Sequence, residues 1–252
     1  MARKGGAMAA RIFTDDFSTR PYWWDITPPE TEGPDSLPAT ADAVVIGSGY
    51  TGLQAAITIA RAGRSVVVLE AGAIGEGCST RNGGQISTSI KPDLATLTRR
   101  HGAAPARAIL QEGVASLAFT ADFITREAID CDFRRCGRFH AAHDARSFRA
   151  LAAAAANPPA GFEVPARIVP RDAQRDEIGS DAYHGGVVLE HHASVDPGRY
   201  HAGLVALARA AGAVLVPQCA ATALNPEAPG HRVTTARGTI RARDVVIATN
   251  GY

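Results

Sequence analysis

Three glycines pose the first chemical question. Residues 47–52 read Gly47-Ser48-Gly49-Tyr50-Thr51-Gly52, the G-x-G-x-x-G spacing that lets a backbone approach a pyrophosphate where a strand turns into a helix. In that role Gly47 permits the tight turn, Gly49 leaves room for the phosphates, and Gly52 lets the helix pack closely on the strand. The helix N-terminus, with its orphan N–H groups and positive dipole end, faces the phosphate charge. Glu70 follows about 20 residues on, where a carboxylate accepts hydrogen bonds from ribose hydroxyls. An acidic group there disfavours a ribose 2′-phosphate, so FAD or NAD fits the pattern and NADP does not. The glycine spacing alone is weak, because glycines punctuate turns in any protein. Its weight comes from the elements around it.

Those elements are present. Ala43 to Ile46 is a short apolar run ended by Gly47, Tyr50 to Ala62 carries helical spacing through Leu53, Ile57 and Ala60, and Val66 to Leu69 is a second apolar run closed by Glu70. Strand, helix, second strand and terminal carboxylate form one βαβ unit. Both strands are continuously apolar, as expected of strands buried under helices on both faces.

A second polar segment follows the unit: Gly77-Cys78-Ser79-Thr80-Arg81-Asn82-Gly83-Gly84-Gln85. Together with the stretch from Val44 to Ala71, it resembles the D-amino-acid-oxidase-like family of FAD enzymes, the group of glycine, sarcosine and γ-glutamylputrescine oxidases. The resemblance implies that the Ser/Thr-x-Arg-Asn-Gly-Gly loop wraps the pyrophosphate and reaches toward the isoalloxazine ring, with Ser79, Thr80 and Arg81 near the phosphates and Asn82, Gly83, Gly84 and Gln85 near the flavin. Small polar residues suit that task, since they let backbone amides point at anionic oxygens. An NAD dehydrogenase would leave Arg81 to Gln85 unexplained. The likeness continues through Val195-Asp196-Pro197, Gly212-Ala213 and Ala248-Thr249-Asn250-Gly251. It implies that Ala71 lies beside Glu70 at the ribose, that Ala221 makes a backbone contact by the adenine, and that Ala248 and Thr249 return to the cofactor. The Tyr/Trp-rich leader also resembles that of the γ-glutamylputrescine oxidase branch.

Composition narrows the alternatives. The chain has 252 residues, 46% of them hydrophobic, enough for a sizeable core. A formal net charge of +1 gives no electrostatic reason to expect a nucleic-acid or anionic-membrane partner. The longest apolar run, Leu151 to Ala156, falls far short of the roughly 18 residues of a membrane-spanning helix. No apolar stretch of signal-peptide length follows Arg3 and Lys4, and the expectation is a cytoplasmic protein. Cys78, Cys131, Cys136 and Cys219 are too sparse for a disulfide framework and are read as reduced thiols. His184, His191, His192 and His201 cluster in sequence but lack an H-E-x-x-H or C-x-x-C frame, so no metal is expected and the histidines are read as surface or hydrogen-bonded groups. No serine sits in G-x-S-x-G. Arg134, Arg135 and Arg138 are read as solvating a strand edge.

The order of segments suggests an α/β fold: an FAD-binding Rossmann-like domain with a βαβ start and a mixed sheet, formed by residues 41–92 and 196–252 and interrupted by residues 93–195, an inserted, incomplete α+β substrate domain. Helices are expected from Pro105 to Ile129, Ala145 to Ala156 and Pro197 to Ala211, and strands at Phe133 to His140, Arg167 to Val169, Gly186 to Glu190, Val214 to Val216, Cys219 to Leu224, His231 to Thr235, Thr239 to Arg241 and Val245 to Ala248. Residues 1–40 read as an extended leader, whose Tyr22, Trp23 and Trp24 are too costly to leave in water and are expected to dock on the folded body or a partner.

The expected chemistry is oxidation of a CH–NH bond of an amine or amino acid to an imine, hydrolysed by water to a carbonyl and the free amine, with oxygen as acceptor; a dehydrogenase passing electrons to a carrier stays open. No catalytic base is assigned, because the bound cofactor supplies the redox chemistry and the substrate mainly needs positioning. Family members continue well past the Ala-Thr-Asn turn, so the chain reads as a fragment, a truncated product or one piece of a split enzyme with a partner chain. A non-catalytic FAD-binding chain is the rival reading.

Overall fold

The computed structural model describes residues 13–159 and 165–251; the start of the leader (residues 1–12) and Tyr252 lie outside the described residues. The elements run β1 (Thr40–Ile46), α1 (Tyr50–Arg61), β2 (Val66–Leu69), β3 (Gln85–Ile86), α2 (Leu94–His101), α3 (Ala103–Arg126), β4 (Arg138–Ala141), α4 (Ala145–Ala156), β5 (Ala166–Val169), β6 (Gly186–Leu189), β7 (Ala193–Ser194), α5 (Pro197–Ala210), β8 (Val214–Val216), β9 (Ala221–Glu227), β10 (Gly230–Thr235) and β11 (Gly238–Ile247). Three of the helices start where the sequence supplies a cap: Asp93, Asp144 and Asp196 accept from Thr96 N, Ser147 N and Arg199 N, satisfying amides that the first turn leaves without partners.

The main sheet has the order β8-β2-β1-β11-β10-β9. Its first four strands are mutually parallel, and β10 and β9 continue antiparallel. Apolar residues alternate across it. Val45 and Val68 join Leu53, Ile57 and Leu204 of α1 and α5 on one face. Val44, Val67 and Val216 meet Val233 and Ile240 of β10 and β11 on the other. Burying one such side chain is worth roughly 1.5–3 kcal/mol, which is why β1 and β2 admit no polar residue between Val44 and Ile46 or Val66 and Leu69. Among the described residues the two-sided burial expected of these strands is met with helices on one face, and residues of the antiparallel extension supply the second cover.

Two further corrections concern strands. The segments expected at Thr239–Arg241 and Val245–Ala248 are one continuous strand. Its front half pairs antiparallel with β10, and a run from Arg241 to Ile247 pairs parallel with β1. Both ladders overlap at Arg241 and Ala242, and the β1 ladder carries the strand on past Arg243 and Asp244, polar residues that are exposed or paired, as in the Arg64–Asp244 ion pair. The strand expected at Phe133–His140 begins only at Arg138, because Asp132 and Gly137 adopt positive φ and break extension.

β4, β6 and β5 form a separate antiparallel sheet backed by α4, and the short β3–β7 ladder joins Gln85 to Ser194. Arg61 on α1 makes a bidentate ion pair with Glu127 at the end of α3, at 2.8 and 2.7 Å.

Candidate functional site

The parallel strands end in register, with Ile46 opposite both Leu69 and Ile247. Beyond those carboxyl ends lies a cleft of about 700 Å³, where open α/β sheets place their ligands.

The glycine turn forms its floor. Gly47 has φ +104°, and a Cβ there would lie 2.6 Å from the Ala248 carbonyl oxygen. A Cβ on Gly52 would lie 1.9 Å from Gly47 O and 3.2 Å from Val45 Cγ1, so α1 reaches this close to β1 only with hydrogen at that position. At Gly49 the nearest atom to an added Cβ is Ser79 Oγ at 3.1 Å, and the remaining space opens to the cleft. Gly49 at the N-cap brings no capping side chain to α1, and Ser79 Oγ accepts from Tyr50 N at 3.2 Å, which leaves the other first-turn N–H groups for a ligand.

Glu70 sits at the end of β2. Its Oε2 accepts from Ser48 N at 2.9 Å and Ser48 Oγ at 2.6 Å, while Oε1 accepts from Gly72 N at 3.2 Å. Ser48 is buried and is held from below by His201, whose Nε2 lies 2.8 Å from Ser48 O. Burial pushes the His201 pKa below the ordinary imidazole value. Tyr50 stands at the start of α1 with its hydroxyl donating to Ser79 O, and burial pushes that phenol up to about 12, so it remains a donor.

Of the residues expected to bind a cofactor, Gly47, Gly49, Tyr50, Thr51, Glu70, Ala71, Ser79, Ala221, Ala248 and Thr249 line this one cleft. Ser48, Gly52 and Thr80 are buried beneath its wall. Arg81, Asn82, Gly83 and Gln85 are exposed on the continuing loop, outside the cleft lining, and Gly84 is buried against Val195, to which its carbonyl is hydrogen-bonded at 2.9 Å. The cleft also takes in Ile46, Leu69, Gly77, Cys78, Ala220, Ile247 and Asn250, to which the sequence reading gave no cofactor role. Most of them adjoin a recognised motif, so adjacency to a motif was the signal that could have found them.

The leader closes over this loop. Trp24 Nε1 donates to Thr80 Oγ1 at 2.9 Å and Trp23 Nε1 donates to Asn82 O at 2.8 Å, while Glu30 exchanges two 2.9 Å backbone hydrogen bonds with Ile74. Asn82 folds the loop on itself, donating to Ser79 O at 3.0 Å and accepting from Gly84 N at 2.9 Å.

The sequence-adjacent histidines separate. His201 and His192 are buried and His191 is exposed; His192 Nε2 lies 3.4 Å from Thr88 Oγ1, and its Nδ1 has no partner among the described residues. No disulfide joins the four cysteines, and burial raises the Cys131 thiol to about 11. Among the described residues no group of three or more His, Cys, Asp or Glu gathers that could hold a metal, and no helix is long and apolar enough to cross a membrane.

Known proteins share this architecture. The family model described as FAD dependent oxidoreductase matches residues 42–252. The γ-glutamylputrescine oxidoreductase of Escherichia coli (strain K12) is 33% identical over 218 residues, covering 84% of this chain and 50% of the relative. Among solved structures, glycine oxidase from Geobacillus kaustophilus superposes with a TM-score of 0.71 at 18% identity, over 84% of this chain and 55% of that one. L-amino acid deaminase from Proteus vulgaris gives 0.67 at 25% identity, over 87% and 50%. The chain thus spans about half the length of the curated relatives it matches.

Proposed function

The chain belongs to the DAO family of FAD dependent oxidoreductases, and on that premise we propose that its cleft holds FAD for the oxidation of a CH–NH bond in an amine or amino acid, with oxygen as acceptor. The observation that carries this reading is the convergence of the Gly47–Gly52 turn, Glu70 and Ser79 on one cleft at the carboxyl ends of the parallel strands. The residues present fit a dinucleotide. A side chain at Gly49 would enter the cleft, a carboxylate with an acceptor site left on Oε1 waits at the end of β2, and a helix start with no N-cap side chain supplies N–H donors.

In this reading Gly49 and Thr51 present backbone amides to the pyrophosphate, beside the Tyr50 amide that donates to Ser79 Oγ at 3.2 Å, and Glu70 Oε1 accepts from the adenosine ribose. Ala221 borders the adenine, and Ala248 and Thr249 line the cleft beside Gly47. The loop from Arg81 to Gln85 extends toward the isoalloxazine, with Arg81 free to neutralise phosphate charge. Bound FAD supplies two-electron chemistry; the chain's own residues bind and orient it. No side chain is assigned as a base. The division into residues 41–92 with 196–252 and an interrupting 93–195 is supported by the strand pairings, since the main sheet draws its β1, β2 and β8–β11 from the outer segments. Relatives named as acting on γ-glutamylputrescine and on amino acids support an amine as the substrate class, and four cysteines joined by no disulfide support a cytoplasmic protein. A partner chain supplying further substrate contacts is part of the proposal.

The test is anaerobic mixing of FAD-loaded protein, alone and with its candidate partner, with a panel of amines and hydroxy acids. Loss of flavin absorbance near ~450 nm with amines only, recovered on admitting oxygen, is the expected result; reduction by hydroxy acids but not amines overturns the substrate class.

A further inference from the structure

His201 comes from α5, far along the chain from the glycine turn, yet its ring is 4% exposed and its Nε2 lies 2.8 Å from Ser48 O. A carbonyl only accepts, so Nε2 carries the proton and the ring is fixed in that tautomer. Ser48 in turn spends both its amide and its hydroxyl on one oxygen of Glu70, at 2.9 and 2.6 Å. That oxygen is saturated. Only Oε1, with Gly72 N at 3.2 Å, keeps a lone pair for a ligand. The packing leaves the ring little freedom: a Cβ built on Gly75 would lie 3.4 Å from His201 Nδ1, and the Tyr50 ring centroid is 6.3 Å away.

We propose that His201 is a positioning residue of the dinucleotide cleft: by holding the Ser48 carbonyl it fixes the Ser48 amide and hydroxyl on Glu70 Oε2, and so aims Oε1 at the adenosine ribose. The inference rests on the reading of the cleft as an FAD site. A glycine-flanked turn has little stiffness of its own, and a buried carbonyl without a donor is costly, so the Ser48 peptide needs this support from another element. A carboxylate rotated by even a few tenths of an ångström gives a poorer hydrogen bond to a ribose hydroxyl.

The experiment compares His201→Leu, which removes the donor, with His201→Gln, whose amide N–H reaches the Nε2 position. Two quantities are read: hydrogen exchange at the Ser48 amide in the flavin-free chain, and affinity for ADP and FAD. His201→Leu is expected to speed Ser48 exchange and weaken both ligands by about three- to tenfold, His201→Gln to stay near the unaltered chain, and His201→Leu to add no further loss once Glu70→Ala is present. Equal losses in the Leu and Gln variants, unchanged Ser48 exchange in His201→Leu, or the same loss in the Glu70→Ala background overturn the proposal. Should His201→Leu not fold, His201→Gln and Ser48→Ala decide. Full affinity in the first with weakened binding in the second supports the role, and the reverse pattern removes it. If the unaltered chain binds neither ADP nor FAD, the functional reading fails, and Ser48 exchange still decides whether His201 holds the turn.

Discussion

Replacing Gly52 by alanine adds one methyl group where the chain has no room. The new Cβ would lie 1.9 Å from Gly47 O and 3.2 Å from Val45 Cγ1, and ordinary contact begins at 3.4 Å. Relief requires α1 to withdraw from β1 by about 1.5 Å, since Gly47 O is a backbone atom and Val45 is a fully buried β-branched side chain with no room to swing aside. The buried Leu53, Ala56 and Ile57 on the same helix would lose contact with Val45 and Val68. The cost should sit at the upper end of the overpacking range, about 3 kcal/mol, which for a chain of this size lowers the thermal midpoint by roughly 6–12 °C. Gly83→Ala is the control, because nothing lies within 4 Å of its added Cβ. Gly49→Ala separates packing from ligand binding: it meets only Ser79 Oγ at 3.1 Å, so its midpoint should move by less than about 3 °C while FAD affinity collapses. The assay is a thermal melt followed by circular dichroism, with flavin titration alongside. A Gly52→Ala protein melting together with Gly83→Ala would refute the packing argument for the motif's third glycine.

Trp24→Phe removes the indole hydrogen bond to Thr80 Oγ1, worth about 1 kcal/mol, and should speed tryptic cleavage after the exposed Arg81; an unchanged rate means the leader does not hold the loop. Glu70→Ala should weaken FAD and ADP in the same ratio, by about tenfold or more, as isothermal titration would show; a loss confined to FAD would place the carboxylate away from the adenosine ribose. Stability should also fall with acid. Burial lowers the pKa values of His192 and His201, so below about pH 6.5 the unfolded chain binds more protons than the folded one. The histidine contribution is therefore complete above that pH and is lost as pH falls toward the folded values. Thermal melts at about pH 7.5 and 5.5 should differ in that direction, and equal midpoints count against buried neutral imidazoles.

The βαβ unit was legible because its two signals are local: uninterrupted apolar residues in β1 and β2, and glycines at the turn between them. The helix from Ala145 to Ala156 was legible to the residue, with Asp144 capping one end and Asn157-Pro158-Pro159 following the other. What escaped depends on distant partners. Nothing local tells that Arg241 to Asp244 continue a strand, since the stretch is extended by ladders to β1 and β10. The two-residue β3 and β7 are too short to carry a period and exist through their pairing. The cost of exposing Trp23 and Trp24 predicted docking, but only the fold shows that their partners are Asn82 and Thr80. His201 looked like its neighbours His191 and His192, and the turn of α5 that buries it beneath Ser48 leaves no mark in sequence.

The account rests on the cleft holding FAD, and the direct measurement is the absorbance spectrum of the purified chain with equilibrium titration of added FAD. Flavin bands near ~450 nm at about one FAD per chain, displaced by ADP and lost in Gly49→Ala, are the predicted result. A colourless, folded chain that binds neither FAD nor ADP would contradict it.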